Sequence, residues 1–325
     1  MAILFAGSAP DALGGTAQVD TSLIHRDPDF VPVGSKFTGG FADSGVGFSV
    51  VTPVPTGKYW FHARFRTHSQ VSTRATVDGR LVEFRASDDA FIGSVDVRDG
   101  GWRLESETGT TTTMPTLIPD TNYVMDISLD ISAGNYTMEL YFGGALQATL
   151  TWASSLGRPT KAIFDFDDTA SNNLETTWYC SEVIVTDGES TIGWRLATLV
   201  PAADGFYTDW QGDYTGIKTL GDGQGISTDM LGAKQSWTFG TLPAGVSGSA
   251  AIRGVLHYVN AAPGTVSGLS SIVPLVRISG AGYDGPVFTV SGGGDLVVVD
   301  QNPATGAAWT VAELANLEVG VKASS

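Results

Sequence analysis

Apolar and polar residues alternate along most of this chain, and that period of two constrains the fold more than any other feature. In "YVMDISLDI", Tyr123, Met125, Ile127, Leu129 and Ile131 share one face, while Asp126, Ser128 and Asp130 share the other. The pattern reads as an antiparallel strand with one buried side and one wet side. "NYTMELYFGGALQATLTW" holds two more strands around Gly143-Gly144, a pair suited to a two-residue hairpin turn. "YWFHARFRT", "LVEFRASDD", "AFIGSVDVRD" and "TWYCSEVIVTDGES" alternate likewise, with turns expected at Asp99-Gly100 and Asp187-Gly188. Strands at this spacing, with no helical period between about residue 20 and residue 196, predict an all-β jelly-roll sandwich over 1–196.

Composition agrees with that reading. The 41 glycines and 14 prolines, with only 16% charged residues, suit strands joined by tight turns. The net charge of −16 gives a field that repels nucleic acid and anionic membrane, so neither is expected as a partner. Cys180 stands alone, which excludes an internal disulfide and any zinc site built on several cysteines. Its setting in "WYCSEVIV" predicts a buried, inert thiol. "MAILFAGS" has no basic lead-in and is expected to form a first strand rather than a signal peptide. No run approaches the roughly 18 apolar residues of a membrane span, and a soluble protein is expected.

The texture changes at 197–209, where "ATLVPAADGFYTD" reads as a linker. "KQSWTFGTL", "AAIRGVLHYVN", "SSIVPLVRISG", "PVFTV" and "DLVVVD" then predict a second, smaller β-sandwich over 197–300. Residues 301–325 read as a tail with one short helix, because Thr310 and Glu313 have the spacing of a capping box.

Residues 1–196 resemble the concanavalin A/laminin-G-like jelly roll. The resemblance rests on "YVMDISLDISAGNYTMELYFGGALQAT", then "AIFDF", then "WYCSEVIVTDGES". The rest resembles a β module that recurs in virion proteins of tailed phages and of gene-transfer-agent-like particles of alphaproteobacteria. That match lies in "MAILFAGS", "TLVPAADGFYTDWQG", "KQSWTF", "IRGVLHYV", "PLVRISGAGYDG" and "NPATGAAWTVAELANLEVGVK". Together they imply a non-enzymatic virion structural protein: a tail fibre, spike or head-decoration subunit, assembled in the bacterial host cytoplasm. Its implied partners are other virion subunits, copies of itself (a trimer among the options) and a host-surface glycan. The alternative is a stand-alone carbohydrate-binding lectin-like protein that uses calcium.

"KAIFDFDDTASNN" carries Asp165, Asp167 and Thr169 in the pattern of a dehalogenase-type phosphatase nucleophile. That chemistry needs a βαβ unit, and here another strand follows, so the phosphatase is excluded. Alternation instead points Phe164 and Phe166 inward, with Asp165 and Asp167 about 7 Å apart on the other face. Asp165, Asp167, Asp168, Asn172 and Asn173 offer hard oxygens suited to calcium, although EF-hand spacing is absent. The plainer reading is a solvated acidic turn with no cofactor.

No Glu-x-Asp occurs in the chain, so a glycosidase would have to draw its acids from separate segments. His62, Arg64, Arg66 and His68 alternate on one strand as a basic stripe, suited to an acidic neighbour or an anionic glycan. The competing account is a solvated face paired across the sheet. Trp102, Trp210 and Tyr283 flank glycines, where an exposed ring would stack on a sugar; rings in such places also plug the ends of sandwiches.

Overall fold

The computed structural model describes residues 2–7, 18–20, 27–31, 34–39, 46–49, 57–67, 79–98, 101–111, 117–131, 134–165, 176–219, 224–263, 268–290 and 294–325. It divides into two units, Met1–Leu196 and Ala197–Ser325.

Among the described residues the first unit has thirteen strands: β1 (Ala2–Gly7), β2 (Gln18–Asp20), β3 (Gly34–Gly39), β4 (Val46–Ser49), β5 (Lys58–Arg66), β6 (Gly79–Ala86), β7 (Phe91–Arg98), β8 (Gly101–Ser106), β9 (Asn122–Asp130), β10 (Asn135–Phe142), β11 (Ala145–Ala153), β12 (Pro159–Asp165) and β13 (Thr176–Asp187). An eight-stranded sheet runs β11-β10-β9-β5-β13-β3-β2, with β1 also paired to β13. A five-stranded sheet runs β4-β12-β6-β7-β8. Every pairing in both sheets is antiparallel, as the alternation predicts. Gly143 and Gly144 both sit at positive φ and turn β10 into β11.

The core lies between the two sheets. Phe61 and Phe65 of β5 meet Phe84 and Trp102 of the smaller sheet edge-on, with centroids 6.0 and 5.6 Å apart. Met125, Ile127 and Leu129 of β9 and Met138 and Leu140 of β10 are buried alongside. Burying one such side chain contributes about 1.5–3 kcal/mol.

The outer face of the larger sheet is not wet as the sequence suggests. Asp126, Ser128, Glu182 and Thr186 are all buried there. The chain after β13 returns across this face, and Thr191 donates to the Asp126 carboxylate at 2.7 Å. Farther along, Arg195 donates twice to Glu182, at 2.7 and 2.8 Å, and reaches Asp27 at 2.9 Å. Glu182 adopts a left-handed φ of 55° at a register shift in β13, a local cost that the two Arg195 bonds help offset. Ser128 and Tyr141 both donate to Glu139, which covers the face further.

The second unit has β14 (Pro201–Thr208), β15 (Lys234–Phe239), β16 (Val255–Asn260), β17 (Ser271–Ile278), β18 (Ala281–Asp284), β19 (Phe288–Thr289), β20 (Gly294–Val299), helix α1 (Val311–Leu314) and β21 (Glu318–Ser324). Its six-stranded sheet runs β14-β15-β21-β17-β18 with β19 also on β17, and β16 pairs with β20. Val276, Ile278, Trp309, Leu317 and Val319 form a core cluster. The segment read as a linker is the edge strand β14. Residues 318–324, within the expected tail, form a middle strand of the sheet, and their alternating Val319, Val321 and Ala323 are buried. The capping box is present: Thr310 accepts from the Glu313 amide, and Glu313 accepts from the Thr310 amide. Pro274 sits mid-strand in β17, a position its missing N–H usually forbids. It falls between the stretches paired with β18 and β19, where no ladder bond is required of it.

Candidate functional site

The outer face of the five-stranded sheet gathers charges from neighbouring strands. Arg80, Glu83 and Arg85 come from β6, Ser94 and Asp96 from β7, and Arg103 and Glu105 from β8. Cross-strand register sets Arg80 beside Asp96, Glu83 beside Ser94, Asp96 beside Arg103 and Ser94 beside Glu105. Glu83 is buried and clamped by the guanidinium groups of Arg80 and Arg85. Arg80 also lies over the Phe91 ring, 4.8 Å from its centroid. Arg103 spans two carboxylates, reaching Asp96 at 3.2 Å and Glu105 at 2.5 Å. Ser94 donates to Asp96 at 2.5 Å. Lys161 of β12 donates to Asp89 in the neighbouring turn at 2.5 Å. Arg80 and Arg85 stay partly exposed over buried Glu83, and Arg103 covers Asp96. Glu105 and Asp89 are more exposed than Arg103 and Lys161, so a ligand meets guanidinium edges interleaved with two carboxylates.

Below about pH 6, Asp96 and Glu105 share one proton. Burial pushes Asp96 up to about 6, reinforced by its hydrogen bond with Glu105. Burial also works against ionised Glu105, but the hydrogen bond from Asp96 and the Arg103 charge hold it below the usual carboxylate range. The proton therefore resides on Asp96. An acid held above its unfolded value loses folding stability as pH rises from 3.8 towards 6, by up to about 3 kcal/mol. Glu105 acts oppositely but only below its ordinary 4.5, which leaves the range from 4.5 to 6 to Asp96. Asp96→Asn should remove that decline. Its urea midpoint should gain on the parent chain from pH 4.5 to about pH 6 and level off above that; parallel profiles would refute the shared proton.

The sequence candidates land elsewhere. His62 and Trp102 are buried, with 1% and 4% of their surfaces exposed, so neither meets a partner directly. The His62 ring pairs with Asp126 at 2.8 Å beneath the returning segment, and Trp102 packs against Phe65 and Phe142 in the core. Arg64 is half-buried, and Arg66 reaches Asp120 at 3.5 Å. His62 is thus covered rather than presented, because the face that alternation assigns to water carries a second layer of chain there, while Arg64 and Arg66 are part-buried.

Trp210 is tied down by its indole N–H, which donates to the Ala233 carbonyl at 3.2 Å. Tyr283 packs against the second unit's core cluster. Asp165 ends β12 in register with Arg80. Asp167, Asp168, Asn172 and His68 lie outside the described residues, and with them the choice between a calcium loop and a solvated acidic turn. Among the described residues, no three His, Cys, Asp or Glu side chains converge as metal ligands. Cys180 is fully buried, and burial holds its thiol far above its ordinary range.

The charged face was missed because its members alternate within "GRLVEFR", "SVDVR" and "WRLE", none of which reads as a motif alone. A register shift between Arg80 and Val82 also breaks the alternation, burying Leu81 and Val82 together.

No family model matches the chain. No curated protein matches it either. Among solved structures it is similar to a cellulose induced protein, Cip1, with a TM-score of 0.41, 17% identity, and 57% of this chain and 91% of that one covered. The receptor binding domain of botulinum neurotoxin type G gives 0.39 at 10% identity over 60% of this chain and 49% of that chain. A sialidase gives 0.39 at 9% identity over 61% and 22%. This chain therefore spans less than half of each of the last two. The protein is an all-β protein of sandwich type.

Proposed function

We propose that this chain is a non-enzymatic glycan-binding protein whose first unit presents the charged outer face of its five-stranded sheet to the sugar. One observation carries the reading: Arg80 and Arg85 lie partly exposed over buried Glu83, and Arg103 bridges buried Asp96 and part-exposed Glu105, on a protein whose net charge is −16. Planar guanidinium groups pinned in place by carboxylates offer fixed donors to hydroxyl and carboxylate oxygens at little entropic cost. Binding rather than cleavage is favoured because Asp96 and Glu105 are hydrogen-bonded. Catalytic acid pairs of glycosidases stand roughly 5–9.5 Å apart. Glu83 is occupied by the guanidinium groups of Arg80 and Arg85.

The setting within a phage-type virion, as a fibre, spike or decoration subunit, belongs to the same proposal and rests on the residue matches of the sequence. A stand-alone lectin would use the same face without the particle. Immunogold labelling of intact particles separates the two.

The binding face is tested by titrating the full chain against a panel of neutral and acidic oligosaccharides in a calorimeter. Saturable binding is expected. Arg85→Gln combined with Lys161→Gln should weaken it by roughly tenfold, the worth of about one charge-assisted hydrogen bond. Binding indifferent to both changes, or release of reducing ends, would sink the reading.

A further inference from the structure

Strand β11 closes one edge of the eight-stranded sheet, and among the described residues nothing pairs with its far side. Its sequence, ALQATLTWA, contains no charge and no proline across nine residues. Ala145, Leu146, Thr149, Thr151 and Ala153 are exposed along it, Leu146 by 53%. Edge strands are ordinarily blunted by charge, proline, shortness or a covering segment. Three of the other edges of this unit follow that rule; β1, six uncharged residues paired only with β13 among the described residues, is shorter than β11 but not otherwise blunted. β2 has three residues and β4 has four, while β8 is bridged by the returning residue Thr110. β11 is long and unguarded.

We propose that β11 is the self-association edge of this protein, pairing antiparallel with β11 of a second copy about a two-fold axis, so that two eight-stranded sheets become one. The occupant is a second copy because the edge is self-complementary. An axis at Thr149 or Thr151 sets exposed threonines against each other and brings no like charges together. Elsewhere, two surfaces of a chain carrying −16 repel. Glu139, opposite Thr149, takes hydrogen bonds from Ser128 and Tyr141. The register shift between Leu140 and Tyr141 confines regular pairing to the stretch after Gln147, the part that holds both threonines. Such a contact is isologous and closes at two copies, whereas a trimer needs a different surface.

The edge is tested by light scattering of the full chain up to about 100 µM, a range that detects micromolar association. The expected result is a dimer that Thr151→Lys dissociates, with a Kd raised at least about tenfold and a melting temperature that matches the parent's at concentrations where the parent is monomeric. Cross-linking gives a readout independent of stability. The only native cysteine is buried, so Thr149→Cys or Thr151→Cys should form an intermolecular disulfide on mild oxidation, at whichever position lies on the axis. A monomer at every concentration, a trimer, or a dimer indifferent to Thr151→Lys that yields neither disulfide would overturn the proposal.

Discussion

Gly320→Val is expected to cost the second unit at least about 4 kcal/mol, enough to unfold much of it at room temperature. Gly320 sits in β21, between β15 and β17, where any Cβ would lie 2.2 Å from the Gln235 carbonyl oxygen and 2.9 Å from the Ser236 Cα. Both obstacles are backbone, so no rotamer change relieves the clash. The strands must part instead, opening the row of pairs from Lys234–Lys322 to Thr238–Glu318 and exposing Trp237 and Val319. Even Gly320→Ala should be damaging, since its single methyl meets the same atoms. Limited proteolysis followed by mass spectrometry would read the effect as new cleavage within 197–325. A Gly320→Val chain that resists protease as the parent does would show that β21 does not approach β15 so closely.

That glycine illustrates what a sequence conceals. Its neighbours Val319, Val321 and Ala323 announce a strand by alternation, yet the reading stops at a tail because the capping box just upstream suggests a helical ending. The helix is real and has only four residues. The hairpin at Gly143-Gly144, the sandwich core of Phe61, Phe65, Ile127 and Leu129, and the inert Cys180 all follow from local pattern, because each depends on residues near in sequence.

What fails is whatever depends on a distant segment crossing a face. Asp126 looks solvated until Thr191 of the returning segment meets it, and Ser128 until Glu139 takes its hydroxyl. The charged face of β6, β7 and β8 is invisible for the same reason, since Asp96 and Glu105 come from different strands and meet through register alone. A search for paired acids within one strand cannot find it.

The second large effect is expected at Asp126. Its side chain is buried, and its Oδ1 accepts from the His62 ring at 2.8 Å and from the Thr191 hydroxyl at 2.7 Å. Asp126→Ala removes the shared acceptor, leaving a buried imidazole and a buried hydroxyl unpaired, at a cost of about 3–5 kcal/mol. Asp126→Asn keeps an amide oxygen where both donors point and should cost about half as much. The two losses differ in place as well as size. Thr191 is one of the ties that hold the returning segment to the sheet; Arg195 on Glu182 is another. Hydrogen exchange at residues 189–196 should therefore quicken in Asp126→Ala while the strands β9 and β5 slow to exchange remain protected. The double variant His62→Ala with Asp126→Ala should be less destabilised than the sum of the singles by about 1.5 kcal/mol or more, since removing both partners leaves no orphan on that side. Additive losses with unchanged exchange at 189–196 would mean that the carboxylate merely fills space. The return would then be held by Arg195 and Glu182 alone.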